Sequence, residues 1–170
     1  MSETTESQQP FMPVPLQAAI IEATQAFIAS PLGRQMTGAH GTVDTYDKDI
    51  LQFRLPRGSG STTLCYHLCN TLKCPLIVKD YDSVKSFGVH QKVWGGGLGS
   101  MSIVTPADLE RFCSFATGDV SAIGIKEHFI RSYEHSKVII FDVFRAYDNN
   151  KMVKKLIKDL AGQCKFVMFQ

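Results

Sequence analysis

Long apolar runs are missing from this sequence. None approaches the ~20 residues that a helix needs to cross a bilayer, so no membrane partner is expected. Charge of one sign is also scarce. Eighteen Lys and Arg against 16 Asp and Glu leave a formal net charge of +2, too little to call for nucleic acid or a lipid surface by itself. The opening MSETTESQQP is polar and acidic with no apolar segment after it, so no secretory leader is expected. Cysteine is present but odd in number: Cys65, Cys69, Cys74, Cys113 and Cys164. That argues against a disulfide framework and for a reducing, cytoplasmic setting, either of a cell or of an infected host. The spacing Cys65-x3-Cys69-x4-Cys74 fits no common zinc pattern, and Cys65, Cys69 and Leu72 share a helical face, which makes them small core hydrophobes. No serine-histidine-acid arrangement is recognisable, and His67 and His128 stand alone in helical segments.

With 44% hydrophobic and 20% charged residues, the chain has the make-up of a folded globular domain. Its length suits one domain, read here as a flexible tail over 1–12 and a single α/β domain over 13–170. Leu16, Ala19, Ile20, Ala23, Phe27 and Ile28 recur at helical spacing from Val14 to Ser30, where Ser30-Pro31 and Gly33 stop the helix. A Gly-, Thr- and Asp-rich loop at 37–48 leads to a strand near 49–55. A helix over 61–73, a short strand over 75–79 and a brief helix or turn capped at 81–83 follow. Thr105-Pro106-Ala107-Asp108 has a capping hydroxyl, proline at the first helical position and a carboxylate in the first turn, and predicts a helix reaching toward Gly118. Another helix is expected at about 122–134. Lys137 to Asp142 is the strongest strand. Asp148 to Ala161 is an amphipathic helix closed by Gly162, and 165–170 is a last strand.

Short, wholly apolar strands alternating with helices imply a mainly parallel sheet covered on both faces, a three-layer sandwich. In such a sheet, ligands gather where strands give way to loops at their carboxyl ends. The stretch ILQFRLPRGSGSTTLCYHLC, residues 50–69, has that layout: an apolar strand, a Gly-Ser loop and a helix. Gly58, Ser59, Gly60, Ser61, Thr62 and Thr63 could turn their backbone N–H groups toward an anion at the start of that helix. The hydroxyl of Thr62 is placed to ligate Mg2+. Read without a ligand, the same stretch is a turn joining a strand to a helix.

These residues resemble the Walker A loop of the P-loop NTPases, G-x-x-x-x-G-K-[ST]. Aligned on Gly60-Ser61-Thr62, the sequence keeps Gly60 and Thr62, while Leu55 stands for the leading glycine and Ser61 for the lysine. Arg57, four residues before Ser61, is the cation the loop does carry, and some superfamily members, viral DNA-packaging motors among them, resemble it in carrying theirs early. Val138-Ile-Ile-Phe-Asp142 is similar to the second motif of that superfamily, Walker B, in which the strand-end acid holds Mg2+ through water. Where the water-activating branch has a glutamate next, this chain has Val143, so Glu127, Glu134 and Asp148 are the alternatives for a base. Gln170, ending the last strand, falls where helicase-like and motor ATPases place a γ-phosphate sensor.

The resemblance spans the frame from 49 to 170, without 81–136. It implies a P-loop NTPase-like domain, closest in layout to viral motor or helicase-like ATPases. Such a domain would bind ATP or GTP with Mg2+ through 57–63, with Thr62 and Asp142 at the metal. Hydrolysis would be weak or dependent on a partner, which a homo-oligomer could supply as an arginine or lysine from a second subunit. The alternative is an inactive domain of the same fold that docks a protein or nucleic-acid partner. A third reading is a phosphotransferase with Asp80 and Asp82 as substrate-side acids. Two further features are read blandly. WGGGLGS at 94–100 is a loop or hairpin tip, and Lys151, Lys154, Lys155 and Lys158 form a solvated helix face.

Overall fold

Residues 14–32, 37–38, 41–42, 49–80, 82–86, 103–113, 136–142, 150–160 and 162–170 are described by a computed structural model of the chain. The proposed tail, WGGGLGS, the helix expected at 122–134, and Glu127, Glu134, His128 and Asp148 lie outside these residues.

The frame is a five-stranded parallel sheet. Its strands are β3 (Ile50–Phe53), β4 (Leu76–Ile77), β5 (Ile103–Val104), β6 (Val138–Phe141) and β7 (Lys165–Phe169), in the order β3-β7-β6-β4-β5. The register sets Ile50 beside Phe166, Ile139 beside Phe166, Leu76 beside Ile140 and Leu76 beside Ile103. Every residue of β6 and β7 is buried. That explains why they read as continuous apolar runs: neither face of a strand covered on both sides meets water.

Alternation along each strand sends side chains into two cores. Val138, Ile140, Val167 and Phe169 join Ile20 of α1 (Pro15–Ala29) and Leu64, Cys65, Leu68 and Cys69 of α2 (Ser61–Leu72). Ile139, Phe141, Phe166 and Met168 join Leu109 of α3 (Pro106–Cys113) and Val153 of α4 (Lys151–Asp159) on the other face. Helices therefore cover both sides, as strand-helix alternation required. Among the described residues, no helix is long and apolar enough to cross a membrane.

The capping signals act where expected, with differences in detail. Thr105 and Asp108 form a reciprocal cap at α3: Asp108 Oδ2 accepts from the Thr105 amide and hydroxyl, each at 2.8 Å, and the Asp108 amide donates to Thr105 Oγ1 at 3.3 Å. Gly162 has φ +72°, the left-handed conformation that ends a helix. The helix at 82–86 is capped by Asp80, not by 81–83, because Asp80 Oδ1 accepts from the Ser83 amide and hydroxyl at 2.8 Å. The Gly-rich stretch expected to be only loop contains a small antiparallel ribbon, β1 (Thr37–Gly38) with β2 (Gly41–Thr42). Strand β5 was not expected: two residues after a glycine-rich stretch give no period to read.

At the base of the sheet, Lys165 is 3% exposed and donates to the carbonyls of Phe27 and Ser30 and to the Ser30 hydroxyl. Its ammonium also lies 4.6 Å from the Phe27 ring centre. A cation is thus buried at the carboxyl end of α1, where the helix dipole favours one.

Candidate functional site

Because all five strands run the same way, their carboxyl ends share one edge. Strand order then lines up, across that edge, the loop after β3, Gln170 after β7, Asp142 after β6, Lys79-Asp80 after β4 and Thr105 after β5. Gln170 lies directly against the loop's base: its amide donates to Phe53 O at 2.8 Å, and its carbonyl accepts from Leu55 N at 3.0 Å.

The loop from Leu55 to Gly60 curls in two places that glycine permits. Gly58 has φ +79° and Gly60 φ +76°, and the Ser59 amide closes a turn on Pro56 O at 3.2 Å. Gly60 is then the N-cap of α2. It offers no side chain to the first turn, and the first helical bond runs from Leu64 N to Gly60 O at 2.9 Å. The amides of Gly60, Ser61 and Thr62 meet no backbone carbonyl among the described residues, as the geometry of a helix start dictates. Ser59 Oγ is buried and has no hydrogen-bond partner among the described residues. Arg57 and Gly58 are exposed at the loop's tip, while Ser61, Thr62 and Thr63 are half-buried.

Helix α2 leaves the end of β3 and must return to the start of β4, three positions across the sheet, past β7 and β6. That crossing carries its inner face over the end of β6. Asp142, 4% exposed, lies close enough to the Cys65 thiol for its charge to act on it, and its own amide donates to Ile77 O at 2.9 Å. Burial first, and then the Asp142 charge, push the Cys65 thiol well above the ordinary thiol range. Thr62 is three residues before Cys65 on α2, hence on the same helical face one turn nearer the loop. Asp142 and Thr62 therefore stand on one side of the sheet.

The remaining expectations sort by geometry. Cys65, Cys69 and Cys74 are fully buried, with the sulfurs of Cys69 and Cys74 3.9 Å apart. Among the described residues no cluster of three His, Cys, Asp or Glu could hold a metal. Asp80 is committed to its cap, and the Ser83 amide and hydroxyl hold its carboxyl below the usual range. Asp82 pairs with Lys85 at 3.1 Å in the open. On the lysine-bearing helix, Lys151 and Lys154 are exposed. Burial lowers the pKa of His67, which favours a neutral imidazole.

Two residues at this edge escaped the sequence reading. Cys65 gave only a hydrophobic signal, because nothing local shows that its helix turn passes over Asp142. Gln17 gave none. Its Nε2 donates to Ser59 O at 3.3 Å, a contact between residues 42 apart in the chain. No protein-family model matches this chain, and no curated protein matches it in sequence.

Proposed function

We propose that this chain is a P-loop-like domain that binds a nucleoside triphosphate, ATP or GTP with Mg2+, through residues 57–63. The observation that carries the reading is the meeting of two motifs 80 residues apart. Asp142 is buried against the inner face of α2 one turn from Thr62, beside a loop in which the amides of Gly60, Ser61 and Thr62 meet no backbone carbonyl among the described residues. Ser59 Oγ supports it, since a buried hydroxyl without a partner is costly unless something else bonds it.

The donor set suits Mg2+, which keeps several waters and takes one or two protein oxygens along with phosphate oxygens. Thr62 Oγ1 and the Asp142 carboxylate would hold it there, and it would supply positive charge against the phosphates. The chain's own part is to orient. The amides of Gly60, Ser61 and Thr62 and the α2 dipole would cradle the phosphates. Arg57 would close from the exposed tip in place of the cation that Ser61 cannot provide. With no lysine at 61 and Val143 after Asp142, hydrolysis would be slow unless a partner or second subunit brings a cation.

Calorimetry with ATP and GTP, with and without Mg2+, tests this. Micromolar binding that needs Mg2+ is expected. Arg57→Ala should weaken it roughly tenfold, as loss of a charge-assisted contact does. Asp142→Asn should abolish the Mg2+ dependence. No heat of binding at millimolar nucleotide would sink the proposal. In that case an inactive interaction module becomes the better reading, favoured by Val14 and Leu16, which are 54% and 47% exposed at the start of α1.

A further inference from the structure

Gln17 joins two parts of the molecule that sequence does not connect. Within α1, its Oε1 accepts the Val14 amide at 3.2 Å; across the fold, its Nε2 donates to Ser59 O at 3.3 Å. The residue is only 8% exposed. A Cβ added to Gly60 would lie 2.7 Å from that same Nε2, so side chain and loop are in close contact.

The contact has a directional consequence. In a trans peptide the carbonyl of one residue and the N–H of the next point opposite ways. Holding the Ser59 carbonyl toward α1 therefore turns the Gly60 N–H away from α1, where no backbone carbonyl among the described residues takes it. A carboxamide offers a donor and an acceptor on separate atoms of one neutral side chain, as this pair of contacts requires. The carboxylate of glutamate could still accept from Val14 but could not donate to Ser59.

We propose that Gln17 is a positioning residue for the loop: it fixes the 59–60 peptide so that the Gly60 amide is presented, with those of Ser61 and Thr62, to an anion. The functional consequence rests on the triphosphate-binding reading above; the conformational one does not. Gln17 thereby couples the docking of α1 to the geometry of a loop 42 residues away.

Gln17→Glu and Ala18→Glu in the full chain separate the alternatives. The first removes the donor while keeping the helix-start acceptor; the second puts the same charge on the neighbouring exposed position. Titrated with Mg2+-ATP, Gln17→Glu should bind roughly tenfold more weakly, as loss of one ordering hydrogen bond implies. Ala18→Glu should stay within about twofold, as expected for a solvated charge far from direct contact. Should Glu at position 17 unfold the chain, Gln17→Met, neutral and of similar length, should show the same loss. Equal binding by wild type and the position-17 variants overturns the proposal, as does an equal loss in Ala18→Glu. If wild type binds no nucleotide, the triphosphate reading fails, and the amide resonances of Gly60 and Ser61 still decide. Displacement in Gln17→Glu or Gln17→Met but not in Ala18→Glu sustains the positioning role; resonances unmoved in all three overturn it.

Discussion

At Gly58 and Gly60 the backbone adopts φ of +79° and +76°, but the two positions differ in what surrounds them. A Cβ at Gly58 would meet nothing within 4 Å; one at Gly60 would press on Gln17 Nε2 at 2.7 Å. Gly58→Ala should therefore cost only the left-handed backbone penalty, about 1–2 kcal/mol. Gly60→Ala should cost the same plus about 1 kcal/mol or more, because the Gln17–Ser59 bond must break to make room. Urea unfolding of both variants measures the difference, and a Gly58→Ala penalty equal to or larger than that of Gly60→Ala would refute the account. From sequence, the two glycines were legible as turn formers in one loop. Their inequality was not, because it depends on a side chain 43 positions upstream of Gly60.

Among the elements, α1 depends on Lys165. This buried lysine takes the carbonyls of Phe27 and Ser30, and so ties the helix end to the first residue of β7. Lys165→Met would strand those carbonyls, and we expect a loss of about 1–3 kcal/mol at neutral pH. Desolvation lowers the pKa of Lys165, with Asp49 opposing the shift. The sign of the pH effect follows. The folded chain holds this proton less tightly than the unfolded chain, so stability rises as pH climbs from the native pKa toward the unfolded value near about 10.4. Lys165→Met should lack that rise, and unfolding free energies measured across alkaline pH would show whether the two curves diverge. A parallel course would reject the assignment. Element boundaries themselves were largely legible. Helix α2 was expected at 61–73 and runs Ser61–Leu72, and β6 was expected within 137–142 and runs Val138–Phe141, because periodicity and caps are local. The helix expected over 148–161 is shorter, Lys151–Asp159. Its start is set by Asn150, whose Oδ1 accepts the Val153 amide at 3.2 Å.

For the molecule as a whole, the sheet covered on both faces buries Cys65, Cys69, Cys74 and Cys164. Burial raises the Cys65 and Cys69 thiols well above the ordinary range and pushes Cys164 up to about 12. A thiol reacts as its thiolate, so burial limits access to all four, and the raised thiols of Cys65, Cys69 and Cys164 are further protected by ionisation. Residue-mapped alkylation at pH 8 should find all four reacting no faster than the chain opens globally, with the reaction accelerated in parallel by denaturant. Rapid labelling of Cys65 in the native protein would show that α2 lifts from Asp142 far more readily than its packing implies.

Composition, apolar period and capping residues by themselves determined an α/β chain with a parallel sheet, a Gly-Ser turn opening a helix and an aspartate ending a buried strand. Those signals are written within one turn or one strand. Which strands become neighbours is a different matter, decided by long-range packing. Only the order β3-β7-β6-β4-β5 brings the last strand between the loop and Asp142 and carries α2 over that carboxylate. The same assembly seats Gln17 on the Ser59 carbonyl, since a contact between segments 42 residues apart leaves no periodic trace in either one.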